Sequence, residues 1–187
     1  SVSKGVCLMS EPRREFSFLH FSDLHSYKDK GYDLTQALAR LAGFVKDNAD
    51  RWECDYVFLT GDIANQCNYT GTVQFIADLL EAVKMPKDDK QRIFWAVGNH
   101  DIKRGRKMRE NIIHEIRADK DPRAFEKAMN DEESRTLLTH TGMTEYLKAY
   151  KDICGYDFPE DVVSGAHRFF ELENLNLFVL NTCLTSC

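Results

Sequence analysis

Three short apolar segments in the N-terminal half have the pattern of buried strands. They span residues 16–21, 55–60 and 92–97. Each is rich in aromatic or branched side chains, which favour strands. Between them, apolar residues recur at helical spacing over residues 34–48 and 72–84, and the second stretch stops before Pro86. This alternation predicts an α/β fold with helices covering a parallel sheet.

The pattern changes after the third predicted strand. Residues 103–159 contain no convincing strand, and apolar positions at helical spacing indicate helices near Met108, Phe125 and Tyr146. We therefore predict a helical insertion over residues 103–165. One interpretation is structural packing at the rim of the sheet, and the other is a cap that shapes a substrate pocket.

Strand patterns return close to the C-terminus. Residues 168–172 and 175–180 are apolar segments on either side of a turn at Glu173-Asn174. They predict an antiparallel hairpin that belongs to a second sheet.

Each of the first three strands runs into side chains that suit a metal site. Ligands bind beyond the carboxyl ends of parallel strands, so we expect these residues to meet at one edge. The three stretches are Asp23-Leu24-His25, Gly61-Asp62-Ile63-Ala64-Asn65 and Gly98-Asn99-His100-Asp101.

The residue types indicate a division of labour in this site. Asp23 and His25 are one residue apart, so in extended backbone they project to the same side. The two oxygens of Asp62 can bridge two cations, and Asn99 offers a neutral carbonyl oxygen. Such mixed oxygen and nitrogen ligands favour Mn, Fe, Zn or Ni over Ca. Two cations about 3.5–4 Å apart can activate water and neutralise phosphoryl oxygens.

The remaining polar residues are candidates for supporting roles. His100 could protonate a leaving oxygen or stabilise developing charge, and Asp101 could orient His100 or a ligand histidine. Asn65 could hold a loop or a neighbouring ligand in place. A basic stretch follows Asp101. Its candidates for phosphate binding are Arg104, Arg106 and Lys107. The alternative for this stretch is a solvated helix start.

Composition narrows the classes of protein. At 187 residues the chain predicts a single domain over residues 1–187. A net charge of -5 argues against a generally basic nucleic-acid binder, although the basic stretch leaves a nucleotide or nucleic-acid substrate open. We expect no membrane span, because no apolar run reaches the required length. Six cysteines without a C-x-x-C pair, and no visible signal peptide, predict reduced thiols in a cytoplasmic protein.

Together the three polar stretches resemble the signature of the calcineurin-like metallophosphoesterase superfamily, D-x-H, G-D-x-x-[DN] and G-N-H-[DE]. The resemblance implies a four-layer αββα sandwich and two divalent metal ions. It implies that Asp23 and His25 bind the first metal, Asp62 bridges, Asn99 binds the second metal and His100 acts on the substrate. The expected activity is hydrolysis of phosphomonoesters or phosphodiesters.

The family signature ends in a single histidine and a G-H-x-H motif, and this chain has neither after its hairpin. Its later histidines are His114, His140 and His167. We therefore interpret the chain as a truncated, incomplete metallophosphoesterase domain. The alternative to an enzyme is a non-catalytic or regulatory binding module of a longer protein.

Overall fold

The predicted three-stranded parallel sheet is present. The computed structural model describes residues 16–26, 32–51, 54–85, 92–155, 157–158, 167–172 and 175–184. The strands are β1 (Phe18–Phe21), β2 (Tyr56–Thr60) and β3 (Ile93–Ala96), in the order β1-β2-β3. Both strand pairs are parallel, with Leu19 opposite Val57 and Leu59 opposite Trp95. All three carboxyl ends therefore lie at the same edge of the sheet.

Helices cover one face of this sheet. They are α1 (Tyr32–Asn48), which continues into a 3-10 turn (Ala49–Arg51), and α2 (Thr72–Ala82). The apolar stripe of α2 includes Ile76 and Leu79, which are buried in the same core as Val57 and Leu59 of β2. Burial of this stripe holds the helix against the sheet, and the loops at the strand ends are thereby fixed relative to one another.

Four helices follow β3, where the sequence predicted three. They are α3 (Lys107–Ala118), α4 (Ala124–Asn130), α5 (Glu132–Thr139) and α6 (Thr144–Cys154). The missed helix, α5, begins after Asp131, whose carboxylate accepts a hydrogen bond from the backbone N–H of Ser134 at 2.8 Å. An aspartate followed by Glu132 and Glu133 is a helix-start signal that the apolar spacing alone did not reveal.

The last of these helices, α6, belongs to the main core. Tyr146 and Tyr150 are fully buried against Trp95 of β3, with ring centroids 5.0 and 6.3 Å from the indole. The hydroxyl of Tyr146 also donates a hydrogen bond to the backbone carbonyl of Trp95 at 3.0 Å. Part of the segment predicted as an insertion over residues 103–165 is therefore a helix that covers the sheet.

The opposite face of the sheet is aromatic and only partly covered. The predicted antiparallel hairpin is present as β4 (His167–Leu172) and β5 (Leu175–Leu180), and Phe170 of β4 contacts Phe94 of β3 with centroids 4.8 Å apart. Phe18, towards the β1 edge, is 53% exposed, and Phe169 and Phe178 are exposed on the far side of the hairpin. The turn predicted at Glu173-Asn174 lies outside the described residues.

Arg168 joins this hairpin to the helical side of the molecule. Its guanidinium donates a hydrogen bond to the hydroxyl of Tyr150 and lies within 5.4 Å of the ring centroids of Tyr150, Phe158 and Phe170. Such cation–π contacts stabilise a half-buried arginine that has aromatic neighbours. The architecture is thus a mixed α/β fold with one parallel sheet, one hairpin and six α-helices in the described part of the chain.

Candidate metal centre

The loops after β1 and β2 continue the pairing of their strands. The backbone N–H groups of Asp23, His25 and Ser26 donate to the carbonyls of Gly61, Asp62 and Ile63 at 3.2, 2.9 and 2.9 Å. This ladder places the first two polar stretches side by side. It also fixes the relative height of Asp23, His25 and Asp62 above the sheet.

Backbone conformation in these loops differs from the expected extended form. Asp23, His25 and Asp62 have φ values of 55°, 45° and 52°, in the left-handed region that non-glycine residues seldom adopt. The distance between Asp23 Oδ1 and His25 Nε2 is nevertheless 4.0 Å. The two side chains converge because the chain curls, and not because they alternate along a strand. Strained backbone of this kind concentrates at functional sites.

Glycines allow the second and third loops to touch. A Cβ on Gly98 would lie 2.2 Å from both the backbone nitrogen and the Oδ1 of Asp62, and a Cβ on Gly61 would lie 2.9 Å from the Cα of Gly98. Neither position has room for a side chain. The close approach lets the N–H of His100 donate to Asp62 Oδ1 at 2.8 Å.

Donor atoms of His25, Asp62 and His100 converge. One donor atom from each lies within 4.8 Å of the others, a separation that a single divalent ion could fill. The imidazole rings of His25 and His100 meet edge to face, with centroids 4.7 Å apart. The donor chemistry and spacing therefore fit a metal ion at the edge where the sequence predicted one.

Two of the predicted ligands lie beside this group. The carboxylate of Asp23 is largely exposed and accepts a hydrogen bond from the hydroxyl of Ser22, which sequence reasoning did not single out. The amide of Asn99 lies between Asp62 Oδ2, at 3.3 Å, and Arg104 Nη2, at 2.9 Å, and it hydrogen-bonds to both when its nitrogen faces Asp62 and its oxygen faces Arg104. Their roles as metal ligands stay predictions, although each lies within reach of the cluster.

Asp101 is the most buried acid of the site. Its carboxylate accepts hydrogen bonds from the backbone N–H groups of Gly98, Asp62 and Ala64 at 2.9, 2.9 and 3.1 Å, and from the hydroxyl of Tyr69 at 3.2 Å. Burial raises the pKa of this carboxyl, while the N–H donors act to lower it. Among the described residues, the hydrogen bonds of Asp101 join the loop after β3 to the loop after β2. The predicted orientation of an imidazole by Asp101 stays a prediction.

Several residues near the loops had no signal in the sequence. Burial, and after it the neighbouring carboxylates of Glu145 and Asp101, raise the pKa of the Cys67 thiol to about 12. The N–H of Cys67 donates to the carbonyl of His100 at 2.7 Å, so Cys67 helps to fix the backbone of the loop after β3. Burial also raises the pKa of the Tyr69 hydroxyl, which keeps it a hydrogen-bond donor to Asp101. Contacts of this kind depend on the fold and not on local pattern.

The other predicted site residues occupy the periphery. The backbone N–H of Asn65 donates to the carbonyl of Ser26 at 3.3 Å, and its side-chain role stays a prediction. Arg106 and Lys107 are exposed at the start of α3. His20 of β1 is exposed on the aromatic face and is hydrogen-bonded to the hydroxyl of Thr60 at 2.6 Å.

Comparison with known proteins agrees with this geometry. The family model of the calcineurin-like phosphoesterases matches residues 16–179, and the chain belongs to this family. The match contains all three loops of the candidate centre. No curated protein and no solved structure matches the chain significantly. Membership points to metal-dependent phosphoester hydrolysis, and none of the helices in the described ranges has the length and apolarity needed to cross a bilayer.

Proposed function

We propose that this domain hydrolyses phosphomonoesters or phosphodiesters with two divalent cations, drawn from Mn, Fe, Zn and Ni, at the carboxyl ends of β1, β2 and β3. The observation that carries the proposal is the convergence of His25, Asp62 and His100 within 4.8 Å. These donors come from three separate loops, and each is half-buried beside the other two.

The ligand set follows from the side chains around this cluster. Asp23 and His25 would hold one cation, Asn99 the other, and Asp62 would contact both through its two oxygens. When bound, such a pair of cations supplies a nucleophile from water near neutral pH and neutralises phosphoryl oxygens. The chain contributes fixed positions, because the backbone ladder and the paired glycines leave these loops little freedom.

His100 is the proposed catalytic residue on the substrate side. Its backbone is fixed at both ends, by donation to Asp62 Oδ1 and by the bond that its carbonyl accepts from Cys67. The imidazole would therefore project from a fixed backbone position, and it would give a proton to the leaving oxygen. Asp101 contributes by holding the two loops together.

The helical segment after β3 would form the rim of the substrate site. Lys103 donates from its backbone N–H to the carbonyl of Gly142 at 2.8 Å, so the turn before α6 lies against the end of the third loop. We propose that residues 103–165 shape access to the site within one domain spanning residues 1–187. Arg104, Arg106 and Lys107 would give this rim the charge that attracts a phosphate.

A non-catalytic binding module is the second candidate. In the described part of the chain, His114, His140 and His167 do not join the cluster, which leaves few donors for two cations. A site with too few ligands would bind metal weakly and turn over slowly. The four described cysteines are free thiols, which fits a reducing cytoplasmic compartment under either function.

Hydrolysis of p-nitrophenyl phosphate and of its bis ester, with and without Mn²⁺, tests the enzyme. We expect metal-dependent release of p-nitrophenol by wild type and loss of at least about a hundredfold in Asp62→Asn, since the bridging charge is removed. Asp78→Asn, an exposed acid on α2, is the matched control and should retain activity. Mn²⁺ binding without turnover in wild type would favour the binding module.

A further inference from the structure

The side-chain amide of Asn99 lies between a hydrogen-bond acceptor, Asp62, and a hydrogen-bond donor, Arg104. In the orientation that satisfies both, its nitrogen donates to Asp62 Oδ2 at 3.3 Å and its oxygen accepts from Arg104 Nη2 at 2.9 Å. The amide thus presents its donor to the proposed bridging carboxylate and its acceptor to the arginine.

Metal binding requires the reverse orientation. A divalent cation shared by Asp62 and Asn99 must meet the amide oxygen, because an amide NH₂ has no lone pair to give a metal. Turning the amide by about 180° brings its oxygen to the Asp62 side and its NH₂ towards Arg104. Two donors would then face each other, so the hydrogen bond to Arg104 and coordination by Asn99 exclude one another.

Arg104 is suited to a second partner. It is exposed, and no carboxylate lies within ion-pair distance of it in the described ranges. The nearby Lys103, by contrast, lies 3.7 Å from Glu145 Oε1. A planar guanidinium without a carboxylate partner matches the oxygens of a phosphoryl group in a bidentate contact.

We propose that Arg104 couples metal occupancy of Asn99 to capture of the substrate phosphate. When Asn99 turns its oxygen to the cation, Arg104 loses its acceptor and its guanidinium binds a phosphoryl oxygen beside the cation. Before the metal binds, Arg104 thus competes with it for the amide oxygen of Asn99. After the metal has bound, Arg104 binds the phosphate. The inference rests on the proposed function and names the residue that recognises the phosphate.

Calorimetric titration with Mn²⁺ tests whether Arg104 competes with the metal for Asn99. Arg104→Met removes the competing donor and should tighten the weaker Mn²⁺ site by about threefold to tenfold, a change within the range of one hydrogen bond to a charged group. Arg40→Met makes the same change of charge at an exposed position of α1 and is the matched control. At 0.15 M salt, where exposed charges are screened, it should alter Mn²⁺ affinity by less than about twofold. Circular dichroism would check that both variants fold.

Titration of the Mn²⁺-loaded proteins with inorganic phosphate tests whether Arg104 binds the phosphate once the metal is bound. Arg104→Met should bind phosphate at least about tenfold more weakly than wild type, and the control Arg40→Met within about threefold of wild type. Equal behaviour of the two variants in both titrations would overturn the coupling. If the two arginine variants behave equally while wild type binds Mn²⁺ and Asp62→Asn does not, the metal centre stands and only the role of Arg104 fails. If wild type and Asp62→Asn bind Mn²⁺ equally poorly, the proposed metal centre fails as well.

Discussion

Asp101 Oδ2 accepts a hydrogen bond from the backbone N–H of Asp62 at 2.9 Å and so joins the loop after β3 to the loop after β2. The predicted action of Asp101 on an imidazole stays a prediction, and the bonds that its carboxylate makes to backbone N–H groups hold the two loops together. The position of the Asp62 carboxylate therefore depends on a second carboxylate buried behind it.

Asp101→Asn should lower the free energy of unfolding by about 2–3 kcal/mol, because an amide has one acceptor oxygen for the several donors that now bond to the carboxylate. Urea denaturation measures this change. Asp131→Asn is the control, since asparagine is an equally good helix N-cap and the site is exposed. Equal stability of the two variants would show that the loops do not depend on Asp101.

Gly98→Ala should destabilise the protein by about 2–4 kcal/mol and weaken Mn²⁺ binding, because its Cβ would overlap Asp62. Gly43→Ala is the control within α1, where a Cβ would meet nothing within 4 Å. That change should stabilise the protein by about 0.5–1 kcal/mol, since alanine is the better helix former. A tolerated alanine at position 98 would contradict the close approach of the loops.

Cys67 should make stability fall at alkaline pH. Its thiol pKa is raised to about 12 in the folded protein, from an ordinary value of 9.0, so its contribution is complete below pH 9 and declines as pH rises towards 12. Between pH 8 and 10, wild type should lose about 1 kcal/mol more than Cys67→Ala. Urea denaturation at both pH values gives this difference. Cys54→Ala, at a half-buried thiol, should show a smaller one.

Tyr146→Phe should cost about 1–2 kcal/mol, because the buried carbonyl of Trp95 loses the hydroxyl that donates to it. The ring contact with the indole remains, so the effect isolates the hydrogen bond. Tyr56→Phe, on the partly exposed face, should stay within about 0.5 kcal/mol of wild type. If both variants unfold at the same urea concentration, α6 is held by ring packing alone.

Local pattern was sufficient for the helices and strands other than α5, and for the edge of the sheet at which the candidate metal centre lies. The strand β3 could be predicted from an unbroken apolar run, and the site from the polar residues directly after it. The hydrogen bond from the N–H of Asp62 to Asp101 could not be predicted, because Asp62 lies 39 residues earlier in the chain. The curled backbone at Asp23 and His25 also escaped prediction, since neither residue type requires a positive φ. Contacts between loops are set by strand order, which single-sequence periodicity does not specify.

The aromatic residues on the uncovered surfaces affect how unfolding can be followed. Phe18, Phe169 and Phe178 are exposed in the folded protein, so an apolar dye will find binding surface before any heating. The fluorescence of such a dye would start high and rise little at the transition. Trp95 is 1% exposed and moves from the core into water on unfolding, so its emission should shift to longer wavelength at the transition.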